Sequence, residues 1–470
     1  MRLTRSVTGW STSKQRKGCL VAKHPLRVDN ENTSTNSSLP MESFQQLAQF
    51  RQDAYNLLGP ACDATFELID AVLLTGTVSS FAELSLSPVF RRKWPSIYEA
   101  LEDCRPSREK LMTLYIDCIP QELRPLFAVD HTGWPREESV TLKDRTIIHK
   151  PTNIPGNKPI SIGQAYSTIA WIPEESGSWA LPLRHERITS FETPISKAAW
   201  QMRQVTRHLS VRPIVVLDSE YGCAPFVLQT ADIKADTCMK LRGNLCLWNA
   251  PPPYGGKGRP RVHGDKFKLQ DPSTWGESIE TIEIIDDKLG HVRLRRWSNL
   301  HFRRSPEYPM ELLLIERIQP EGKKGKSKPM WLAWVGEQMP PLYDVWQKYL
   351  RRFAVDHWYR FAKQRLHWTE PKLGTPEQAS RWSDLMPLMT WQLWLARGKV
   401  MDNPLPWQKS QTRLTPGRVA QSFGGVLAAI GTPAKPPKPR GKSPGWPKGK
   451  PRKPRIRRPF VKKGTRINTS

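Results

Sequence analysis

Two short apolar runs constrain what this chain can fold into. "RPLFAVD" (124–130) and "RPIVVLD" (212–218) each open on Arg-Pro and close on an acid. Four apolar residues in a row, without polar alternation, describe a strand buried on both faces, as in sheets covered by helices. "GQAYSTIAWIP" and "GSWALPLRHE" are further strand candidates bounded by Gly and Pro, while "PISKAAWQMRQVTRHL" and "APFVLQTADI" read as helices. Three strands, a helix, a strand and a helix form an α/β layer arrangement. Asp130 and Asp218 therefore sit at the ends of two apolar strands, where α/β sheets gather polar chemistry. Taken singly, each also suits a turn or a helix cap.

The flanking chain divides by texture. Residues 1–40 are rich in Ser, Thr, Asn and basic residues without periodicity, and are expected to be disordered. Residues 41–118 carry about four helical patterns separated by Gly, Ser or Pro, a helical domain whose "RRKW" cluster (91–94) suits DNA or a solvated face. The α/β core begins at 119 and runs to 235. Residues 236–338 are strand-like, with basic glycine-rich loops, and read as a β-rich insertion; the core resumes over 339–430 with the final helix capped at Thr415 and Pro416. From 431 the chain is expected to be a disordered basic tail: Lys435 to Ser470 holds fourteen Lys and Arg and no acid.

That tail supplies half of the net charge of +28, from 72 basic and 44 acidic residues among 470. An excess of this size favours a polyanionic partner, nucleic acid or an acidic membrane surface. No apolar stretch approaches the roughly 20 residues of a membrane span, and the N-terminus lacks a signal-type apolar core, so a cytoplasmic protein with no membrane partner is expected. The seven cysteines are widely spaced without a C-x-x-C, which suggests free thiols and neither a disulfide framework nor a zinc site. Walker A and H-E-x-x-H patterns are absent, and "GGKGRP" opens no helix.

The stretch "YLRRFAVDHWYRFAKQRL" (349–366) reads as one helix in which a single acid, Asp356, stands among Arg351, Arg352, Arg360, Lys363 and Arg365. At about 3.6 residues per turn, Tyr349, Arg352, Asp356, Lys363 and His367 share one narrow face of phosphate-contacting types. Arg352 and Asp356 also have the spacing of a plain surface ion pair. The stretch resembles the Y-x2-R-x3-E-x6-K signature of DDE transposases encoded by bacterial insertion sequences. Tyr349, Arg352 and Lys363 match it, with Asp356 in the Glu position, and "AVDHTGW" and "VVLDSEYG" resemble that family's first and second acidic motifs.

The resemblance implies a ribonuclease-H-like mixed sheet with flanking helices, interrupted by the β-rich insertion and preceded by the small helical domain. It implies a metal-dependent endonuclease and strand transferase that binds insertion-sequence ends as a homodimer, associated with the bacterial nucleoid when on DNA. Asp130, Asp218 and Asp356 would be the catalytic acids and hold two Mg²⁺, for which Mn²⁺ can substitute; Tyr349, Arg352 and Lys363 would position phosphates. Three acids brought together repel one another, and a divalent pair about 3.5–4 Å apart reverses that cost. Two more DNA contacts are expected from the residues themselves. Trp297, among Arg295, Arg296 and Arg303, suits stacking on a flipped base or packing in a β layer. Arg259 in "KGRPR" (257–261) suits insertion into a minor groove. The competing readings are a catalytically inactive DNA-binding protein derived from a transposase, and a basic RNA- or membrane-surface protein that would leave the three acids without a role.

Overall fold

The computed structural model describes residues 44–122, 124–149, 159–287, 289–318, 328–439, 441, 445, 447–451 and 454–462, so the expected disordered leader (1–40) lies outside them. The first helices are α1 (Gln45–Asn56), α2 (Cys62–Leu74), α3 (Pro95–Asp103) and α4 (Arg108–Ile116). α1 buries Leu47, Phe50, Ala54 and Tyr55 at helical spacing, as its periodicity predicts.

Four strands follow. β1 (Leu126–Pro135) runs antiparallel to β3 (Ile160–Trp171), whose outer side pairs first with β2 (Thr146–His149) and then with β4 (Leu181–Ile188). After α5 (Pro194–Thr206), β5 (Ile214–Leu217) lies parallel to β1; after α6 (Ala224–Thr230), β6 (Asp236–Leu241) lies parallel to β5. The two apolar runs are thus adjacent central strands, and every residue from Leu126 to Val129 and from Ile214 to Leu217 is buried. Gly163 of β3 sits where a β-carbon would lie 2.2 Å from Trp134 O, so only glycine allows β1 and β3 this close.

The region expected to be an insertion starts inside this sheet, because β6 is one of its parallel strands. β7 (Cys246–Trp248) and β8 (Lys266–Lys268) form a small separate ribbon. β9 (Glu280–Asp286), β10 (Gly290–Leu300), β11 (Met310–Arg317) and β12 (Met330–Val335) then extend the main sheet antiparallel from β6, giving the order β2-β3-β1-β5-β6-β12-β11-β10-β9. Asp236 fastens this extension. Its carboxylate is fully buried and accepts from Arg124 Nη2, Arg212 Nε (2.5 Å) and the backbone N–H of Glu337 (3.0 Å) and Gln338 (3.3 Å).

The last helices are α7 (Leu342–Leu350), α8 (Phe353–Gln364), α9 (Pro376–Ala396) and α10 (Pro416–Ile430). α9 lies on β4 and also packs against α1 and α3, while α10 packs on α9 and α2. One hydrophobic core therefore runs from the helical segment into the sheet, and the change of texture near 118 separates stretches of chain without separating cores. Nine tryptophans are among the largest fully buried side chains, so the Trp abundance is mainly core material. No helix among the described residues is long and apolar enough to cross a membrane, and the described cysteines are free.

Asp384 of α9 is buried beside Arg108, whose Nε donates to Oδ1 at 2.7 Å. Burial outweighs the guanidinium and pushes this carboxyl up to about 6. A folded-state pKa above the unfolded one means that this group's stabilisation is present below about pH 4 and is lost as pH rises through about 6. Asp384→Asn is expected to flatten the dependence of melting temperature on pH between 4 and 6, measured by thermal denaturation in a buffer series.

Candidate active site

Asp130 lies within β1, not at its end, because the strand continues through His131 to Pro135. Its position is set by register: Val129 pairs with Leu217, so Asp130 and Asp218, the next residue on each chain, neighbour each other where β5 ends. Asp356 stands in the first turn of α8, which packs on β1. Arg352 joins two of the three acids. Its Nη1 donates to Asp130 Oδ2 at 3.1 Å, and its Nη2 lies 3.5 Å from Asp356 Oδ2. Asp130 and Arg352 are buried at 12% and 7% side-chain exposure, whereas Asp356 is 46% exposed and opens the site to solvent.

Asp130 is held from several sides. Its Oδ1 accepts the His131 N–H at 2.8 Å, and its carbonyl accepts the Tyr359 hydroxyl at 2.8 Å. Thr168 Oγ1, on the β3 residue opposite Asp130, lies 2.9 Å from the same hydroxyl and 2.8 Å from His185 Nδ1. His185 is enclosed, and burial lowers its pKa to about 3, so it is neutral. Burial raises Asp130 to about 6, with the nearby Asp356 adding to the rise and Arg352 and His131 opposing it. Asp218 Oδ1 accepts the N–H of Ser219 at 2.5 Å.

Next to the acids is a cleft of ≈ 940 Å³, with His131, Thr132, Ile147, His149, Glu220 and Lys363 among its lining residues. Lys363 Nζ donates to Thr132 Oγ1 at 2.7 Å, and its ammonium is held below its ordinary pKa by burial. His131 Nε2 is 3.5 Å from Glu220 Oε2, and the Tyr221 hydroxyl is 3.3 Å from His131 Nδ1. The sequence reading missed His131, Glu220 and Tyr359. The first two are chain neighbours of the acidic motifs, in "DH" and "DSE", and Tyr359 follows Asp356 by three residues on the same helix.

Several expectations need correction. The helix expected over 349–366 is two helices. Arg352 N bonds back to Tyr349 O, Ala354 N to Arg351 O and Val355 N to Arg352 O, each three residues back, so a tight turn separates α7 from α8. The narrow face does not extend across that turn. Tyr349 is 1% exposed, with burial raising its pKa, and His367 adopts φ 55° beyond α8 with Nε2 3.0 Å from Thr75 O. Arg352 faces the acids. Trp297 is 5% exposed, donates its indole N–H to Gly276 O at 2.8 Å and packs with Phe267, Trp275 and Trp331; most of its surface belongs to the β layer, and the remainder lines a pocket with Trp275 and Arg295. Arg259 is exposed in the loop between β7 and β8.

Among the described residues, no group of three or more His, Cys, Asp and Glu side chains is arranged to hold a metal ion. The donor chemistry nevertheless fits a hard divalent cation, which takes carboxylate oxygens. The carboxylates of Asp130 and Asp356 already converge on one positive group, the Arg352 guanidinium.

The family model described as DDE superfamily endonuclease matches residues 55–301, more than half of the chain. The chain belongs to this family. The match takes in Asp130 and Asp218 on their adjacent strands and stops before α8, so Asp356, Arg352 and Lys363 rest on the geometry and on the signature alone. The mixed sheet with flanking helices is consistent with the ribonuclease-H-like fold of DDE enzymes. No curated protein matches the chain.

Proposed function

We propose that this DDE endonuclease is a transposase that binds the ends of an insertion sequence, cleaves them and joins them to target DNA. One observation carries the reading: within a DDE endonuclease, Arg352 draws Asp130 and Asp356 together beside Asp218, next to a cleft lined by Lys363 and by the acids' chain neighbours His131 and Glu220. Asp130, Asp218 and Asp356 would hold the divalent ions, Mg²⁺ or Mn²⁺, that such enzymes generally use; these supply an activated water and a stabilised leaving oxygen.

The chain's own groups do the rest. Lys363, already hydrogen-bonded to Thr132 at the cleft wall, receives a phosphate oxygen of the strand to be cut. Tyr359 and Thr168 lock the β1 backbone at Asp130, so the carboxylate does not drift as the strand enters. Arg352 provides the charge that offsets two acids at one place. In the first step a water oxygen bonds to phosphorus, the bond from phosphorus to the 3′ oxygen breaks, and that oxygen leaves as a 3′-hydroxyl carrying a proton. In the second, the freed 3′-hydroxyl attacks a target phosphorus and displaces the target's 3′ oxygen. A dimer would let two ends be processed together.

The test uses the full chain with labelled duplex DNA containing the sequences that flank its gene. Strand cleavage is expected with Mg²⁺ or Mn²⁺ and is expected to vanish with a chelator, as read on denaturing gels. Duplex binding without cleavage under any divalent ion would overturn the enzymatic reading and favour the inactive DNA-binding derivative.

A further inference from the structure

The basic C-terminal segment, expected to be disordered, is fastened to the fold at both ends of its described course. Near its start, Arg91 Nη2 donates to Ala434 O (2.7 Å), Arg92 Nη2 donates to Lys435 O (2.9 Å), and Lys435 N donates to Asp63 Oδ1 (2.7 Å). These contacts tie it to the helical segment. Near its end, Arg458 N donates to Val140 O and Val461 N to Arg145 O, both at 2.8 Å. Val461 forms a parallel bridge with Thr146, the first residue of β2. Arg145 is 4% exposed and donates to the carbonyls of Arg136 (3.1 Å), Glu137 (2.9 Å) and Arg458 (3.2 Å), locking the segment to the loop before β2.

This docking places charge beside the cleft. β2 is the edge strand of the main sheet, and its Ile147, Ile148 and His149 wall the cleft. Arg455 lies against the loop that follows α8: a β-carbon on Gly374 would be 3.3 Å from Arg455 Nη1, and Thr369 in that loop also lines the cleft. Arg455, Arg457 and Arg458 are exposed, and no acid occurs from Lys435 onward. Pro454 and Pro459 keep this stretch from pairing as a regular strand, so it stays extended with its arginines outward. A segment that is docked by its backbone and keeps like charges crowded on its outer side is built to meet a polyanion.

We propose that residues 454–462 form a rail that binds the phosphate backbone of duplex DNA along the β2 edge of the cleft and guides the duplex toward the acids. The proposal rests on the DNA-binding half of the function proposed above and not on its cleavage half. It differs from a loose cationic tail in placing three arginines at fixed positions.

The experiment measures duplex affinity of the full chain by fluorescence anisotropy across a salt series. Each lost phosphate contact lowers the slope of log affinity against log salt by about 0.9. The triple variant R455Q/R457Q/R458Q is therefore expected to lower that slope by about 2 to 3 and to weaken binding at least about tenfold near 0.1 M salt. V461P removes the N–H that docks on Arg145 O while keeping every charge. The rail predicts several-fold weaker binding for V461P, with circular dichroism and melting of the remaining fold unchanged. An unchanged slope in the triple variant overturns the proposal, as does wild-type affinity in V461P. So does a loss confined to anionic phosphatidylserine vesicles, with duplex binding intact. If the wild-type chain binds no duplex, the proposed function itself fails; if wild type binds and the triple variant keeps its slope, only the rail fails.

Discussion

Asp218→Asn is expected to slow DNA strand cleavage about 10³-fold while leaving duplex affinity within about threefold. Asn keeps the shape of Asp and can still accept the Ser219 N–H, so the local turn survives. What it loses is the anionic oxygen needed by a hard cation. Metal-assisted charge stabilisation contributes several kcal/mol to such a transition state, and 10³-fold corresponds to about 4 kcal/mol. Single-turnover cleavage of an end-containing duplex, beside anisotropy of the uncleaved complex, separates the two effects. Glu220→Gln is the control that makes the result specific. Glu220 also lines the cleft, but its partner is His131, so a loss below about tenfold is expected. Equal losses in both variants would move the third acid from α8 to the turn after β5. Wild-type cleavage by Asp218→Asn would remove Asp218 from the chemistry.

The central sheet was legible because its signal is local. Four consecutive apolar residues before each Asp leave no exposed face, and the structure makes those runs adjacent parallel strands. The break within 349–366 is invisible in the sequence because periodicity cannot see a turn that keeps helical backbone angles. Arg351 and Arg352 have φ −64° and −51°, so the break lies only in a change of hydrogen-bond spacing. The extent of the sheet beyond β6 was also hidden. Strand character in β9 to β12 is plain from composition, but joining β6 depends on a long-range pairing clamped by Asp236, which no window of sequence contains. Trp297 misled because arginines flank it in sequence while its own side chain points into the layer. The tail misled for the opposite reason: its composition cannot build a core, yet a few backbone hydrogen bonds to an existing sheet edge dock it.

Arg352→Met is expected to destabilise the protein by about 3–5 kcal/mol near neutral pH, the range for removing one partner of a buried ion pair. The cause is Asp130, which would keep a buried carboxylate without its guanidinium. Two further outcomes distinguish this from a simple packing loss. Arg352 holds the Asp130 pKa down, so its removal favours protonation of that carboxyl. A neutral Asp130 needs no counter-charge, so the melting deficit of Arg352→Met is expected to shrink as pH falls from the alkaline side toward about 6 and to level off below it, where Asp130 is protonated in both proteins. A divalent cation can also take the place of the lost positive group between Asp130 and Asp356. Added Mg²⁺ or Mn²⁺ is therefore expected to raise the melting temperature of Arg352→Met more than that of wild type, through preferential binding to the folded state. Ca²⁺ is expected to act similarly, since the requirement is for oxygen-seeking charge and not for catalysis. A deficit independent of pH and of every divalent ion would mean that Arg352 serves only packing, and that Asp130 and Asp356 do not form a cation site.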